Sequence, residues 1–196
     1  MKHRITVGAI TAGIALAITS TLLLRTDVNA DSQVSLATAT PRKAAPKIDA
    51  VTKDNGIYDL TEFDGKVIER SQDDWQRSLT PVQFSILRQA ATEAPYTGKL
   101  TDNHQPGVYY CGACGLAMFR SKAKFESGTG WPSFYEPIYK KNVIENEDRS
   151  LPGEVRIEVL CARCHSHLGH VFDDGPQPTG LRYCMNSAAL KFKPAK

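Results

Sequence analysis

Two matched pairs of cysteines, Cys111-Gly-Ala-Cys114 and Cys161-Ala-Arg-Cys164, stand apart from a fifth, Cys184, in Leu181-Arg-Tyr-Cys-Met-Asn186. Two C-x-x-C knuckles are the usual spacing of a structural zinc site with four thiolates placed tetrahedrally. The same four residues could instead form two disulfides in an oxidising compartment. If a metal holds them, they are chemically occupied, and Cys184 is the thiol left for reactivity. In an extended strand, side chains two apart share a face, so Arg182 and Asn186 accompany Cys184 while Tyr183 and Met185 point the other way. A guanidinium beside a thiol favours the thiolate and lowers its pKa. The bland alternative is a buried core cysteine, and the neighbouring arginine argues against it.

Two further clusters carry suitable groups. His165-Ser-His167-Leu-Gly-His170 follows Cys164. His167 and His170 are three apart and would face opposite sides of a regular strand, but a bulge at Gly169 can bring them together. Cysteine with histidine is a common nucleophile and acid pair; metal ligation or surface placement is the competing reading. Ser127-Gly-Thr-Gly-Trp-Pro-Ser-Phe134 is glycine-rich but lacks the lysine of a phosphate-binding loop. Its Trp131 and Phe134 are candidates for an apolar slot that takes a methyl or thioether, or else for core packing.

The elements that must position these groups are short. Thr80-Pro-Val-Gln83 predicts a capped helix with an apolar stripe of Val82, Ile86, Leu87 and Ala90, ending near Ala91. Ser71-Gln-Asp-Asp74 predicts a shorter helix before it. Asp64-Gly65 suggests a turn, as in a small hairpin. After Pro95, strand-like runs follow at Gly107–Cys111, Leu116–Phe119, Glu154–Leu160, His170–Phe172, Arg182–Asn186 and Leu190–Phe192. Val155, Ile157 and Val159 alternate with charged residues, the pattern of a half-buried antiparallel strand. Helices first and short strands after indicate an α+β fold with a mostly antiparallel sheet core.

The 196 residues suit one domain with extensions, and a net charge of +3 gives no electrostatic case for nucleic acid. Lys2, His3 and Arg4 precede an uncharged run from Ile5 to Leu24, and Val28-Asn-Ala30 fits a cleavage site. Residues 1–30 are therefore expected to be a signal peptide or a membrane anchor, and the protein to be exported, periplasmic or anchored facing the periplasm. Residues 31–53, rich in Ala, Thr, Pro and Lys, read as a flexible linker, 54–69 as an N-terminal extension and 70–193 as the folded domain.

The motifs Cys111-x-x-Cys114, Ser127–Phe134, Cys161-x-x-Cys164, His167-Leu-Gly-His170-Val-Phe and Gly180-Leu-Arg-Tyr-Cys-Met-Asn-Ser187, in this order, resemble the B-type peptide-methionine (R)-S-oxide reductases. The likeness runs from about Arg70 to Phe192 and takes in Trp75 and Leu79-Thr-Pro81. It implies two mostly antiparallel sheets with N-terminal peripheral helices, stapled by one structural zinc on Cys111, Cys114, Cys161 and Cys164. It implies that Cys184 attacks the sulfur of methionine (R)-sulfoxide, that His167 or His170 protonates the departing oxygen, and that Trp131 holds the substrate methyl. Arg182 would stabilise the thiolate, with Asn186 and Asp174 in its polar network. Many members carry a second cysteine where this chain has Thr129, so the resemblance implies a one-cysteine variant. Its Cys184 sulfenic acid would be reduced by an external thiol, thioredoxin-like in kind. The partners implied are oxidised proteins or peptides and that reductant, and a monomer is expected. Two other readings compete: a zinc-stapled binding module, and a thiol–disulfide oxidoreductase using one C-x-x-C pair. The second lacks the helix that normally follows a redox pair, since Gly115–Phe119 reads as strand.

Overall fold

A computed structural model describes residues 59–195. The expected export segment, the linker and residues 54–58 lie outside the described residues. Among the described residues no helix is long and apolar enough to cross a membrane.

Residues 59–70 form no hairpin. Gly65 turns the chain with φ +88°, and the backbone on either side bonds to the body of the domain instead. The Phe63 amide donates to Asn142 Oδ1 (2.8 Å), Asn142 Nδ2 donates back to the Thr61 carbonyl (3.2 Å), and the Ile68 amide donates to the Arg163 carbonyl (2.7 Å). Asn142 is fully buried, so this extension satisfies polar groups that would otherwise be orphaned.

Both expected helices are present. Helix α1 spans Gln72–Ser78, with the Ser71 hydroxyl accepting from the Asp74 amide. Helix α2 spans Pro81–Gln89, opened by the reciprocal Thr80–Gln83 capping box and closed by Ala90 in the left-handed region. Its inward face differs from the expected stripe. Ile86 and Leu87 are buried with Phe84 packed beside them, whereas Val82 is 60% exposed in the first turn. Under the helices lies Trp75, with the guanidinium groups of Arg70 and Arg88 at 4.9 and 5.2 Å from its ring centroid.

The described residues form nine strands in two antiparallel sheets, the α+β architecture expected. The smaller sheet has the order β2-β1-β9, from Ala117–Arg120, Gly107–Cys111 and Leu190–Pro194. The larger runs β3-β4-β8-β7-β6-β5, from Lys124–Phe125, Ser133–Phe134, Arg182–Met185, His167–Phe172, Arg156–Cys161 and Val143–Asp148. Three of these strands carry no sequence signal. β3 and β4 have two residues each, and β5 is a mostly exposed edge whose Glu145-Asn-Glu-Asp148 run has no buried face to make it alternate. Val155, expected in a strand, is exposed just ahead of β6. One apolar core joins the sheets: Phe119 from β2 stacks on Phe134 from β4 at 4.4 Å, and Tyr109 from β1 meets Phe134 edge-on at 4.9 Å.

The two knuckles are equivalent turns. Cys111 closes β1 and its carbonyl accepts from the Gly115 amide; Cys161 closes β6 and its carbonyl accepts from the His165 amide. Gly115 and His165 hold the same turn position with φ of +73° and +54°, which assigns the exposed His165 to the turn. The four sulfurs lie within 4.8 Å of one another, with Cys111–Cys164 at 3.7 Å and Cys114–Cys161 at 3.5 Å. No disulfide links them. Zinc–sulfur bonds of about 2.3 Å make a tetrahedron whose edge is about 3.8 Å, so the four thiols fit a zinc ion. The site is structural: it ties the β1–β2 turn of one sheet to the β6–β7 turn of the other. Its cysteines lead into β2 and β7, not into a helix, which disfavours a redox C-x-x-C.

Metal analysis of the purified protein should give one zinc per chain. Its removal by a chelator should lower the melting temperature by roughly 10 °C or more. An unchanged melting curve in metal-free protein would contradict the stapling role.

Candidate active site

The larger sheet places most of the candidate residues by register. Cys184 in β8 has Ser133 of β4 as its neighbour on one side and His170 of β7 on the other. His170 in turn pairs with Glu158 of β6. Paired residues of an antiparallel sheet project to the same face, so Ser133, Cys184, His170 and Glu158 form one row. Two residues along the strands on that face, Arg182 pairs with Phe172, and Asp148 pairs with Arg156. The alternate row, Phe134, Tyr183 and Val171, faces the core.

This alternation corrects one expectation. Phe134 follows Ser133 and therefore faces away from Cys184; it is fully buried against Phe119 and Tyr109 and lines no substrate slot. Trp131, in the loop before β4, does reach the site. A cleft of about 120 Å³ is lined by Trp131, Cys184, His170, Phe172, Asn186 and Arg156, with Thr92 and Gly169. That volume accepts a side-chain tip, not a drug-sized ligand.

A bulge brings the two histidines together. Val159 pairs with Gly169 but the next residue, Leu160, pairs with His167, so Leu168 is the extra residue on β7. The rings of His167 and His170 meet edge-on at 5.5 Å. Gly169 is required there, because a Cβ would sit 2.1 Å from the Cys184 carbonyl oxygen. The histidines are not equivalent. His170 lines the cleft, and its Nε2 is 2.9 Å from Asp148 Oδ2, which also accepts from Arg156 at 2.6 Å. His167 is buried, with Nδ1 2.7 Å from Glu158 Oε1 and no partner for Nε2. Burial pulls the His167 pKa down, against the pull of Glu158 in the other direction.

The polar neighbours of Cys184 differ in part from the strand argument. Arg182 makes two bonds to Asp174, Nε to Oδ1 at 2.7 Å and Nη2 to Oδ2 at 2.8 Å, and lies 4.3 Å over the Phe172 ring. Asp174, held below the usual carboxylate range by Arg182, thus acts on the guanidinium and not on the thiol. For Cys184 itself, burial outweighs Arg182: the thiol is pushed up, with Thr129, Arg182 and Ser133 pulling it back only in part. Sequence shows the arginine but not the desolvation. Asn186 lies just beyond β8, at the start of a 3₁₀ turn over Ser187–Ala189, and is buried with Nδ2 donating to the Leu168 carbonyl at 3.2 Å.

Glu93 is the residue that sequence reasoning missed most completely. Its amide donates to Asn186 Oδ1 (3.0 Å) and its carbonyl accepts from Trp131 Nε1 (3.1 Å). Its carboxylate accepts from the amides of Ser187 and Ala188, capping the 3₁₀ turn. Its only sequence trait is a position after the α2 helix in a polar loop. Asp148 and Glu158 were likewise unmarked, because only the register of β5, β6 and β7 sets them beside the histidines.

Known proteins carry the same arrangement of sequence. Residues 79–194 match the SelR domain. Over 131 residues the chain is 54% identical to the peptide methionine sulfoxide reductase MsrB of Bradyrhizobium diazoefficiens, covering 67% of this chain and 93% of that protein. It is 53% identical over 126 residues to MsrB of Leptospira interrogans (64% and 95%), and 56% identical over 128 residues to MsrB of Methanosarcina barkeri (65% and 89%). The SelR domain covers more than half of this chain, and with it the two knuckles, the Trp131 loop, the histidine pair and Cys184: the chain belongs to the SelR-domain family of MsrB-type peptide methionine sulfoxide reductases.

Proposed function

We propose that this protein reduces methionine (R)-sulfoxide in oxidised proteins or peptides to methionine, with Cys184 as nucleophile. The observation that carries the reading is the pairing of Cys184 with His170 across β8 and β7 at the wall of a cleft that Trp131 also lines. In this reading the substrate methyl rests on the Trp131 ring and the sulfoxide oxygen faces His170. The Cys184 thiolate attacks the sulfoxide sulfur, and His170 delivers a proton to the oxygen. The oxygen passes to Cys184: the substrate sulfur gains two electrons, the cysteine sulfur loses two, and methionine leaves behind a sulfenic acid. His170 suits the acid role because it lines the cleft and Asp148, 2.9 Å from its Nε2, fixes the orientation of its ring. His167, buried and held neutral by burial, positions His170 from behind.

The sulfenic acid has to be reduced by thiols from outside if zinc holds the other four cysteines. Two equivalents of thiol return Cys184, release water and leave one disulfide on the donor, for which a thioredoxin-like protein is the physiological candidate. We take the protein to act as a monomer. The basic start and the uncharged run of Ile5–Leu24 lead us to infer export, with the enzyme acting in the periplasm or anchored facing it.

Incubation with dithiothreitol and a peptide holding resolved R and S sulfoxides should consume only the R epimer, and Cys184→Ser should abolish the loss. No turnover by folded, zinc-loaded protein would overturn the reading. The raised thiol pKa sets a pH dependence: alkylation of Cys184 by iodoacetamide should climb with pH to a midpoint above the ordinary cysteine value. A midpoint near pH 6 would show that Arg182 outweighs burial. Glu93→Ala removes the carboxylate that anchors this loop to the 3₁₀ turn, and so loosens the backbone carbonyl that holds Trp131; it should lower kcat/KM about tenfold, mainly through KM. Glu93→Gln, which keeps an acceptor for the 3₁₀ turn, should recover part of it; wild-type kinetics in Glu93→Ala would remove Glu93 from the site.

A further inference from the structure

On the side of Cys184 away from His170 the site is built from hydroxyls. Ser133, the β4 neighbour of Cys184, is fully buried, and its Oγ lies 3.2 Å from the Trp131 carbonyl and 2.7 Å from Ser127 Oγ. Ser127 Oγ lies 2.8 Å from Thr129 Oγ1 and accepts from the Thr129 amide at 3.3 Å. Thr129 Oγ1 lies 3.8 Å from Cys184 Sγ. Three hydroxyls thus form an unbroken line from a backbone carbonyl to the sulfur.

A hydroxyl donates one proton and accepts at its oxygen, so the line can run in two directions, of which only the first also satisfies the Trp131 carbonyl. With Cys184 as thiol, the sulfur donates to Thr129, Thr129 to Ser127, Ser127 to Ser133 and Ser133 to the Trp131 carbonyl. With Cys184 as thiolate, rotation of the hydroxyl protons reverses the line: Ser133 donates to Ser127, Ser127 to Thr129 and Thr129 to the sulfur, at the cost of the bond from Ser133 to the Trp131 carbonyl. No proton is transferred along the chain; only the O–H directions change. We propose that Thr129, Ser127 and Ser133 form a reversible hydroxyl chain that stabilises the Cys184 thiolate, with Thr129 as the contacting donor and Ser127 as the positioning residue that links it to Ser133. The proposal deepens the reading of Cys184 as nucleophile and rests on it.

Other charged groups bear on the same sulfur from other elements. They are Arg182 of β8 with its partner Asp174, Asp148 of β5 behind the His170 ring, and Arg156 of β6 at the cleft wall. All of them remain in a Thr129 variant. Burial pushes the thiol up, and of the groups that oppose it the Thr129 hydroxyl pulls hardest, ahead of Arg182. A hydrogen bond to a charged group is worth more than one between neutral groups, and it acts here on the ionised form alone.

The test is the pH profile of Cys184 alkylation by iodoacetamide in the full zinc-loaded chain, which needs no turnover. Thr129→Val should move the profile to higher pH and slow alkylation at pH 7 by roughly 3- to 10-fold. Thr129→Ser should restore the wild-type rate to within about twofold, and Ser127→Ala should fall between. A wild-type profile in folded Thr129→Val overturns the proposal. So does slow alkylation that Thr129→Ser fails to rescue, since packing would then be the cause. If Thr129→Val does not fold, Ser127→Ala carries the test: a wild-type profile overturns the proposal, and so does slow alkylation that Ser127→Thr fails to rescue. Failure of sulfoxide reduction in the wild type would sink the catalytic reading while leaving the alkylation result to stand.

Discussion

The pleat of the larger sheet is the constraint from which the rest follows. Successive residues of a strand point to opposite faces, so each strand near the site divides its side chains between chemistry and core. In β8, Arg182 and Cys184 face the cleft side, while Tyr183 and Met185 are fully buried beneath. In β4, Ser133 belongs to the first set and Phe134 to the second. A slip of one residue would exchange the sets and expose the core. The apolar contacts of Phe134, Tyr183 and Val171 therefore hold the nucleophile in register with His170 as a by-product of packing.

Two devices modify that regular frame. The bulge at Leu168 breaks the alternation of β7 once, which lets His167 and His170 share a face. The zinc cluster fixes the far ends of β1 and β6, so the sheets cannot slide against the aromatic stack between them. Glu93 completes the frame from outside the sheet. With one amide, one carbonyl and one carboxylate it holds Asn186, Trp131 and the turn after β8. Each bond satisfies a group that would otherwise be orphaned on closing the cleft.

The electrostatics of Cys184 are a balance of opposed effects. Burial favours the neutral thiol, and Arg182 with the hydroxyls favours the thiolate. Arg182 is itself committed to Asp174 and to the face of Phe172, which dilutes its field at the sulfur. A thiol in such surroundings is protected from casual reaction at neutral pH, because only the thiolate is a strong nucleophile. The same desolvation strengthens every hydrogen bond that reaches the ionised form. The histidines show the same division: the buried His167 is biased to neutrality, and the cleft-lining His170 has Asp148 beside it.

The sequence by itself determined the local features. The α1 and α2 caps, the two knuckles and six of the strands were legible because each rests on neighbouring residues: a hydroxyl before a first turn, a fixed cysteine spacing, a short apolar run. Cys184 stood out because it was the thiol left over. Only the tertiary structure decided which residues meet. β5 has no apolar alternation because it is an exposed edge, so Asp148 was invisible until pairing with β6 set it beside His170. Glu93 holds Asn186 and Trp131 through backbone groups, which every residue type possesses, and its carboxylate meets Ser187 and Ala188 only in the folded chain, so no composition could mark it. Phe134 and Trp131, three apart in one glycine-rich loop, looked alike until strand parity sent one to the core and left the other at the cleft. The direction of the Cys184 pKa was also beyond reach, because burial is a property of the assembled sheets while the adjacent arginine is a property of the chain. Spacing is written along the polymer; register, parity and desolvation arise only when distant segments pack.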